Sequence, residues 1–240
     1  MSGAHGGRTA LPLTGERTGP DDGTAAWREH ERYWFDRHVA GYSLAARLLG
    51  HRPDALVLDT GSGEGYGAAS LRAVTGARLV GVELDPAATA HARDRYRLAA
   101  VRANVVALPL ASGSVDAVVS SQVLEHVWTP HEHLGEARRV LRPGGLLVCS
   151  TPNRLTFSPG LHRGEPPRNL YHSREYDAGE LLDLAASTGL AAAQVLGVHG
   201  PDLSVVGAPA GPAGFRAAPD GPAAPLDACL DLVLVARRPR

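Results

Sequence analysis

Sulfur is scarce in this chain: 240 residues carry two cysteines and one methionine. Cys149 and Cys229 stand in apolar runs far apart in sequence, which argues against a disulfide framework or a cysteine zinc site and leaves two buried thiols, as expected in a reducing compartment. An excess of either charge is also missing. Lys and Arg number 24 against 25 Asp and Glu, a formal net charge of -1, so no strong field gathers nucleic acid or an anionic membrane. No stretch of roughly 18 apolar residues occurs. The first residues, MSGAHGGRTALPLTGER, lack the uninterrupted apolar core of a secretory signal. No internal repeat is visible. The expectation is a soluble cytoplasmic protein with no membrane span and no nucleic-acid partner.

What is present is material for a core. Hydrophobic residues make up 44% of the chain, enough for one large domain. Residues 1–24, rich in Gly, Thr, Pro and charge, have little to bury and are expected to form a flexible N-terminal segment. Residues 25–240 then form the single domain. Within it, residues 25–50 place Trp27, Trp34, His38, Tyr42 and Leu49 at helical spacing, with Gly50 and Pro53 as the stop, which predicts a helical cap. Residues 55–153 alternate strand and helix patterns: strands over Ala55–Asp59, Arg78–Glu83, near Val105, Val115–Ser120 and Leu146–Ser150, with helices at Gly65–Val74, Ala87–Tyr96 and His131–Val140. Such alternation implies βαβ units with right-handed crossovers. The fold class expected is α/β, a Rossmann-like doubly wound sheet, mostly parallel with an antiparallel final strand. Residues 154–240 hold a helix at Ala178–Thr188, strands at Ala191–Val198 and Cys229–Arg238, and two irregular stretches. One, Asn153–Tyr176, is long for a passive connection and reads as a substrate loop. The other, 207–225, is rich in Ala, Pro and Gly and reads as a surface loop.

The densest chemistry lies in LVLDTGSGEGYG, Leu56–Gly67. A dinucleotide loop reads G-x-G-x-x-G, but here the third glycine would fall at Tyr66. Asp59 and Glu64 also bring carboxylates to the place where a pyrophosphate would rest, and like charges repel. A cofactor bearing an ammonium and a sulfonium fits better, because its own carboxylate can still take backbone N–H groups at the helix start. S-adenosylmethionine has those groups. Glu83 ends the next strand, where an acid accepts hydrogen bonds from both ribose hydroxyls.

The segments VLDTGSGEGYG, VGVELDP, ALPLASGSVDAVVSSQVLEHV and RRVLRPGGLLVCSTPNR, in this order and spacing, resemble the successive motifs of class I S-adenosylmethionine-dependent methyltransferases of the small-molecule type, over about Ala55–Asn153. The resemblance implies that Asp59 and the loop Gly61, Ser62, Gly63 and Gly65 hold the methionine end, Glu83 the ribose and Leu84 the adenine. Asn104, with Val105 beside it, stands where the family often has an aspartate for the adenine amino group; an amide oxygen can accept the same bond. Ser121 and Gln122 come near the sulfonium. The product would be S-adenosylhomocysteine. The segments LPLTGERTGP, ERYWFDRH, GSGEGYGA, QVLEHVW and STPNRLTFSPG resemble a bacterial branch associated with glycan and polymethylated polysaccharide synthesis, which implies a sugar hydroxyl as acceptor. O- or N-methylation of another natural product is the alternative, followed by a nicotinamide-dinucleotide oxidoreductase and a catalytically silent cofactor-binding protein.

An alcohol acceptor needs a proton acceptor within hydrogen-bond reach. His126, just past the fourth strand, is best placed along the sequence, and His172 in YHSRE comes next. The wider set His126, His131 and His133 with Glu125 and Glu132 matches no ligand signature, so no metal is expected and these histidines read as solvated helix-end residues. Arg163, Arg168 and Arg174 are a solvated face unless the acceptor is anionic.

Overall fold

A computed structural model describes residues 29–199, 204–206 and 225–240. The expected flexible segment 1–24, Trp27, and all of 207–225 except Pro225 lie outside the described residues. The chain runs α1 (Glu29–Leu49), β1 (Leu56–Thr60), α2 (Tyr66–Thr75), β2 (Arg78–Glu83), α3 (Pro86–Tyr96), β3 (Ala99–Arg102), β4 (Val115–Ser121), a 3-10 turn at Leu124–His126, α4 (Pro130–Val140), β5 (Leu141–Pro152), α5 (Arg154–Phe157), α6 (Ala178–Ser187), β6 (Ala191–His199), β7 (Ser204–Val206) and β8 (Asp231–Arg237).

The strands form one sheet in the order β3-β2-β1-β4-β5-β8-β6-β7. Those from β3 through β5 pair in parallel, and β8 inserts antiparallel between β5 and β6. This is the doubly wound class expected, with its late antiparallel strand. Successive residues of a strand point to opposite faces, so Val57 and Val148 join the core under α1, α2 and α3, while Leu58 and Cys149 join the core under α4 and α6. Central strands buried on both faces read as near-continuous apolar runs, which is why β1, β4 and β5 stand out in the sequence. Cys149 and Cys229 are both buried free thiols.

Two of the expected strands are placed differently, and β7 and the short α5 were not expected. No strand lies near Val105: Asn104 accepts the Val106 N–H at 3.2 Å, and Ala107 N–H donates back to its carbonyl at 3.0 Å, making a turn. The strand is β3 instead, in register from Val80 opposite Ala99 to Glu83 opposite Arg102. β5 begins at Leu141, because its pairing with β4 restarts across an irregularity at the Pro-Gly-Gly segment.

The helical cap is held across the molecule. Arg37 of α1 is 3% exposed. Its guanidinium forks onto Asp231 at the start of β8, with Nε donating to Oδ2 at 3.1 Å and Nη2 to Oδ1. The same group lies 4.7 Å from the Trp34 ring centroid and 4.6 Å from that of Phe157. Aromatic faces cover the cation and the carboxylate neutralises it. Removing one partner strands the other charge in the interior. Asp231→Ala is therefore expected to lower the unfolding free energy by about 3–5 kcal/mol, whereas Arg37→Met with Asp231→Leu recovers most of it. Denaturant unfolding checks this; a loss below about 1 kcal/mol would mean that the pair is solvated.

Candidate active site

β1 must turn sharply into α2 at the carboxyl edge of the sheet. The N–H groups of Gly61 and Ser62 both reach the Val82 carbonyl, at 2.7 and 3.1 Å. Glu83 then accepts the Gly63 N–H through Oε2 and the Asp85 N–H through Oε1, each at 2.9 Å. The glycines have different reasons. A Cβ on Gly61 would strike Val123, one on Gly65 would strike Ala92 of α3, and one on Gly67 would strike the Tyr42 ring. These three make room for protein. Gly63, at φ +51°, has nothing within 4 Å of its would-be Cβ and opens into a cavity. Of these four glycines, Gly63 alone has open space where its Cβ would stand.

That cavity measures about 510 Å³, within the roughly 300–1,000 Å³ of small-ligand sites. It lies at the topological switch between β1 and β4, outside the carboxyl ends of the strands, where open α/β sheets bind ligands. Of the residues singled out in the sequence, Gly61, Ser62, Gly63, Glu83, Leu84, Asn104, Val105, Ser121, Gln122 and His126 line it. Asp59, Gly65 and His172 stand behind the wall. Residues to which the sequence reading gave no role at the site join it: His38 and Tyr42 from α1, Tyr66 at the start of α2, and Trp128. Trp128 is 86% exposed and flanks the opening.

Asp59 does not face the cavity with Glu64 as the sequence implied. It is fully buried, and the Tyr42 hydroxyl, which lines the cavity, donates to it at 3.1 and 3.3 Å. Burial raises its pKa to about 8; the Tyr42 hydrogen bond opposes this and the Glu83 charge adds to it. Glu64 does line the cavity, with His91 4.0 Å away.

The opposite wall is assembled from distant segments. Gln122 takes the left-handed backbone at φ 55°. Its N–H donates to Ser150 at 2.9 Å, and its side chain donates to Asp231 at 3.2 Å. Strain at a non-glycine residue is retained where surrounding contacts enforce it. The Glu125 carbonyl accepts the Ser173 N–H at 2.7 Å and its hydroxyl at 2.9 Å. This fastens the Asn153–Tyr176 loop to the 3-10 turn, and His172 arrives with its ring centroid 5.1 Å from that of His126. Nδ1 of His126 lies 3.1 Å from the Tyr171 carbonyl, and Nδ1 of His172 lies 2.7 Å from Glu175. Glu125 is 1% exposed; Thr151 donates to its Oε2 at 3.0 Å, and burial raises its pKa to about 7. His38, 3.1 Å from the Tyr66 hydroxyl, is pushed down to about 4 by burial, then by Arg37 and His126. A conjugate acid that strong makes His38 a neutral hydrogen-bonding wall and a poor proton sink.

The set His126, His131, His133, Glu125 and Glu132 does not stay together. His131 and Glu132 are exposed on α4. His133 is not a solvated histidine: it is fully buried, 3.0 Å from Ser120 Oγ, with its pKa pushed to about 4 by desolvation. The first turn of α4 faces inward at that position, which helix-end composition did not reveal. Two of the arginines serve α6, Arg163 pairing with Glu180 and Asp183 and Arg174 with Glu180, whereas Arg168 donates to the Pro159 carbonyl.

Comparison with known proteins places these features. A family profile described as a methyltransferase domain matches residues 58–149. A probable S-adenosylmethionine-dependent methyltransferase of Mycolicibacterium smegmatis is 46% identical over 198 residues, 82% of this chain and 72% of that protein. A relative of the same description from Mycobacterium tuberculosis is 44% identical over 195 residues, 80% of this chain and 66% of its own length. Among solved structures, a Haloferax volcanii methyltransferase in complex with a methyltransferase activator shares the fold at TM-score 0.67 and 23% identity, covering 90% of this chain and 95% of that one. The 1,6-didemethyltoxoflavin-N1-methyltransferase of Burkholderia thailandensis, with S-adenosylhomocysteine bound, shares it at TM-score 0.58 and 21% identity, over 90% of this chain and 84% of that one.

The Asp59 environment has a consequence for stability. Its carboxyl keeps its proton in the fold up to about 8, against an ordinary value of 3.8. Across that window the folded state binds a proton that the unfolded chain has lost, so this contribution is full at acid pH and declines as pH rises. Asp59→Asn removes the ionisation. Thermal melts from about pH 5 to about pH 8 should show wild type losing stability relative to the variant as pH rises; parallel curves would mean that an ionised carboxylate is tolerated there.

Proposed function

The chain belongs to the class I S-adenosylmethionine-dependent methyltransferases, and from that membership we propose that it methylates a hydroxyl of a small-molecule acceptor, a sugar or a glycan. One observation carries the reading: a single cavity runs from Glu83 and the open face of Gly63 to His126 and an exposed tryptophan. Its cofactor end suits S-adenosylmethionine. Each Glu83 oxygen already accepts one backbone N–H and keeps lone-pair capacity for a ribose hydroxyl. Glu64 on the rim favours a cationic ligand and opposes the pyrophosphate of a nicotinamide dinucleotide. In this reading the backbone of the loop from Gly61 to Gly65 takes the methionine carboxylate, and Asp59 acts on that end through Tyr42. Leu84 lies against the adenine, Asn104 and Val105 meet its amino group, and Ser121 and Gln122 flank the reacting end.

When bound, the cofactor supplies a methyl group on a sulfonium whose departure leaves a neutral thioether. The chain's own work is to position the acceptor, exclude water and accept a proton. Trp128 offers a flat apolar face to the C–H side of a sugar ring. The wall of His126, backed by Glu125 and His172, is where the hydroxyl proton goes. Release of S-adenosylhomocysteine with a panel of sugars, phenols and amines tests the acceptor class; turnover confined to amines would overturn the hydroxyl assignment.

Three variants have expected outcomes. Gly63→Val puts a side chain into space that no protein atom occupies, at a backbone φ of +51° that a β-branched residue strains, so calorimetry should find cofactor binding abolished with a modest loss of fold stability, and Glu83→Ala should weaken binding by about 1–3 kcal/mol. Full affinity in either would move the cofactor elsewhere. His126→Ala should lower kcat by about 100-fold or more with cofactor affinity retained, since its contribution belongs to the reacting end; unchanged turnover would make His126 structural.

A further inference from the structure

Glu125, His126 and His172 each place one potential ligand atom within 4.8 Å of the other two. Three further observations bear on what this cluster does. The first concerns tautomers. A carbonyl only accepts, so His126 must donate to Tyr171 from Nδ1, and His172 directs its own Nδ1 at the Glu175 carboxylate. In both rings the acceptor nitrogen is thereby Nε2. Metal-binding imidazoles are oriented in this way, with the far nitrogen donating to a carboxylate or a backbone carbonyl.

The second concerns the carboxylate. Thr151 holds Glu125 by Oε2, while Oε1 points 3.9 Å from His126 Nε2. The third is charge. Glu125 and Glu175 are each 1% exposed in their side chains, and Glu175 Oε2 is buried without a hydrogen-bond partner among the described residues. Their ion-pair partners are the imidazoles of His126 and His172. Two buried acidic side chains beside two imidazoles, with one carboxyl oxygen lacking a hydrogen-bond partner among the described residues, make a donor set of the kind a divalent cation takes up.

We propose that Glu125, His126 and His172 bind a divalent transition-metal ion at the acceptor end of the cavity, with Glu175 and Tyr171 orienting the two rings from outside. Three protein ligands leave coordination positions open, as in metal sites that act on a substrate, and two imidazoles with one carboxylate suit ions of the zinc and cobalt type. His126 lines the cavity, so the open side faces the acceptor. His172 Nε2 is 2.9 Å from the Asn169 amide, and the ion displaces that one hydrogen bond. The inference rests on the acceptor end assigned above and revises one step of it: with the ion bound, His126 and His172 are its ligands and not the proton acceptor, and the ion holds the acceptor hydroxyl and lowers its pKa, the proton passing to solvent water.

The test needs neither cofactor nor acceptor. Protein stripped with a chelator is titrated with Co2+ alone, and its visible absorption is followed. Wild type should take up one tightly bound equivalent. Glu125→Gln and His172→Ala should weaken it by about 100-fold or more, and Glu175→Gln by about 10- to 100-fold, the usual effect of losing an orienting partner. His131→Ala, on the exposed face of α4, should leave it unchanged. Cofactor affinity, read by calorimetry in every variant, reports that the fold is intact and tests the methyltransferase site separately. Co2+ bound no more tightly by wild type than by a His126→Ala/His172→Ala double variant overturns the proposal.

Discussion

The carboxylate of Glu83 holds two turns at once. One oxygen fixes Gly63, in the loop leaving β1, and the other fixes Asp85, at the start of α3. Two adjacent βα crossovers are thereby locked to one side chain at the carboxyl edge of the sheet. Asp85 in turn caps α3 through the N–H groups of Ala87 and Ala88, and Gly65 lets α3 approach α2 closely enough that a Cβ would strike Ala92. The cavity owes its position to this clamp. A carboxylate that accepts backbone N–H groups and retains further lone pairs can organise a loop and recognise hydroxyls together.

The opposite end has a different origin. Nothing local to QVLEH places His172 beside His126; the Glu125 carbonyl does so by receiving Ser173 from a loop 48 residues further on. Likewise Gln122 is held by Asp231, the same carboxylate that anchors Arg37 of the cap. The cap, the loop and β8 therefore meet around one short stretch after β4.

This division decides what the sequence could reveal. The strands at 56–60, 78–83 and 115–121 were legible because central parallel strands are apolar on both faces, and the glycine loop because its spacing is local. β3 was missed because it is a mostly exposed edge strand with little apolar pattern, while the two valines after Asn104 imitate a strand inside a turn. Tyr42, His38 and Glu175 carry no motif; they matter through partners far away in the chain. Their only sequence signal was a polar group placed on a face that the helical or loop pattern sends inward. His133 misled for the opposite reason, since a helix N-terminus rich in charge was read as solvated when one of its turns packs on Ser120.

β8 carries a consequence for how the protein comes together. In the sheet β6 is bordered by β8 and β7 only, although β6 precedes β8 in the chain. The outer hairpin therefore joins the sheet only through β8, a later segment of the chain that lies beside β5. Order in the chain and order in the sheet diverge at this edge, and closure depends on contacts between segments far apart in sequence, the kind that slows folding. Without β8, Arg37 lacks the Asp231 carboxylate and Gln122 its anchor. The part of the cavity wall that Gln122 forms is thus built from segments distant in the chain, unlike the local loop around Gly63.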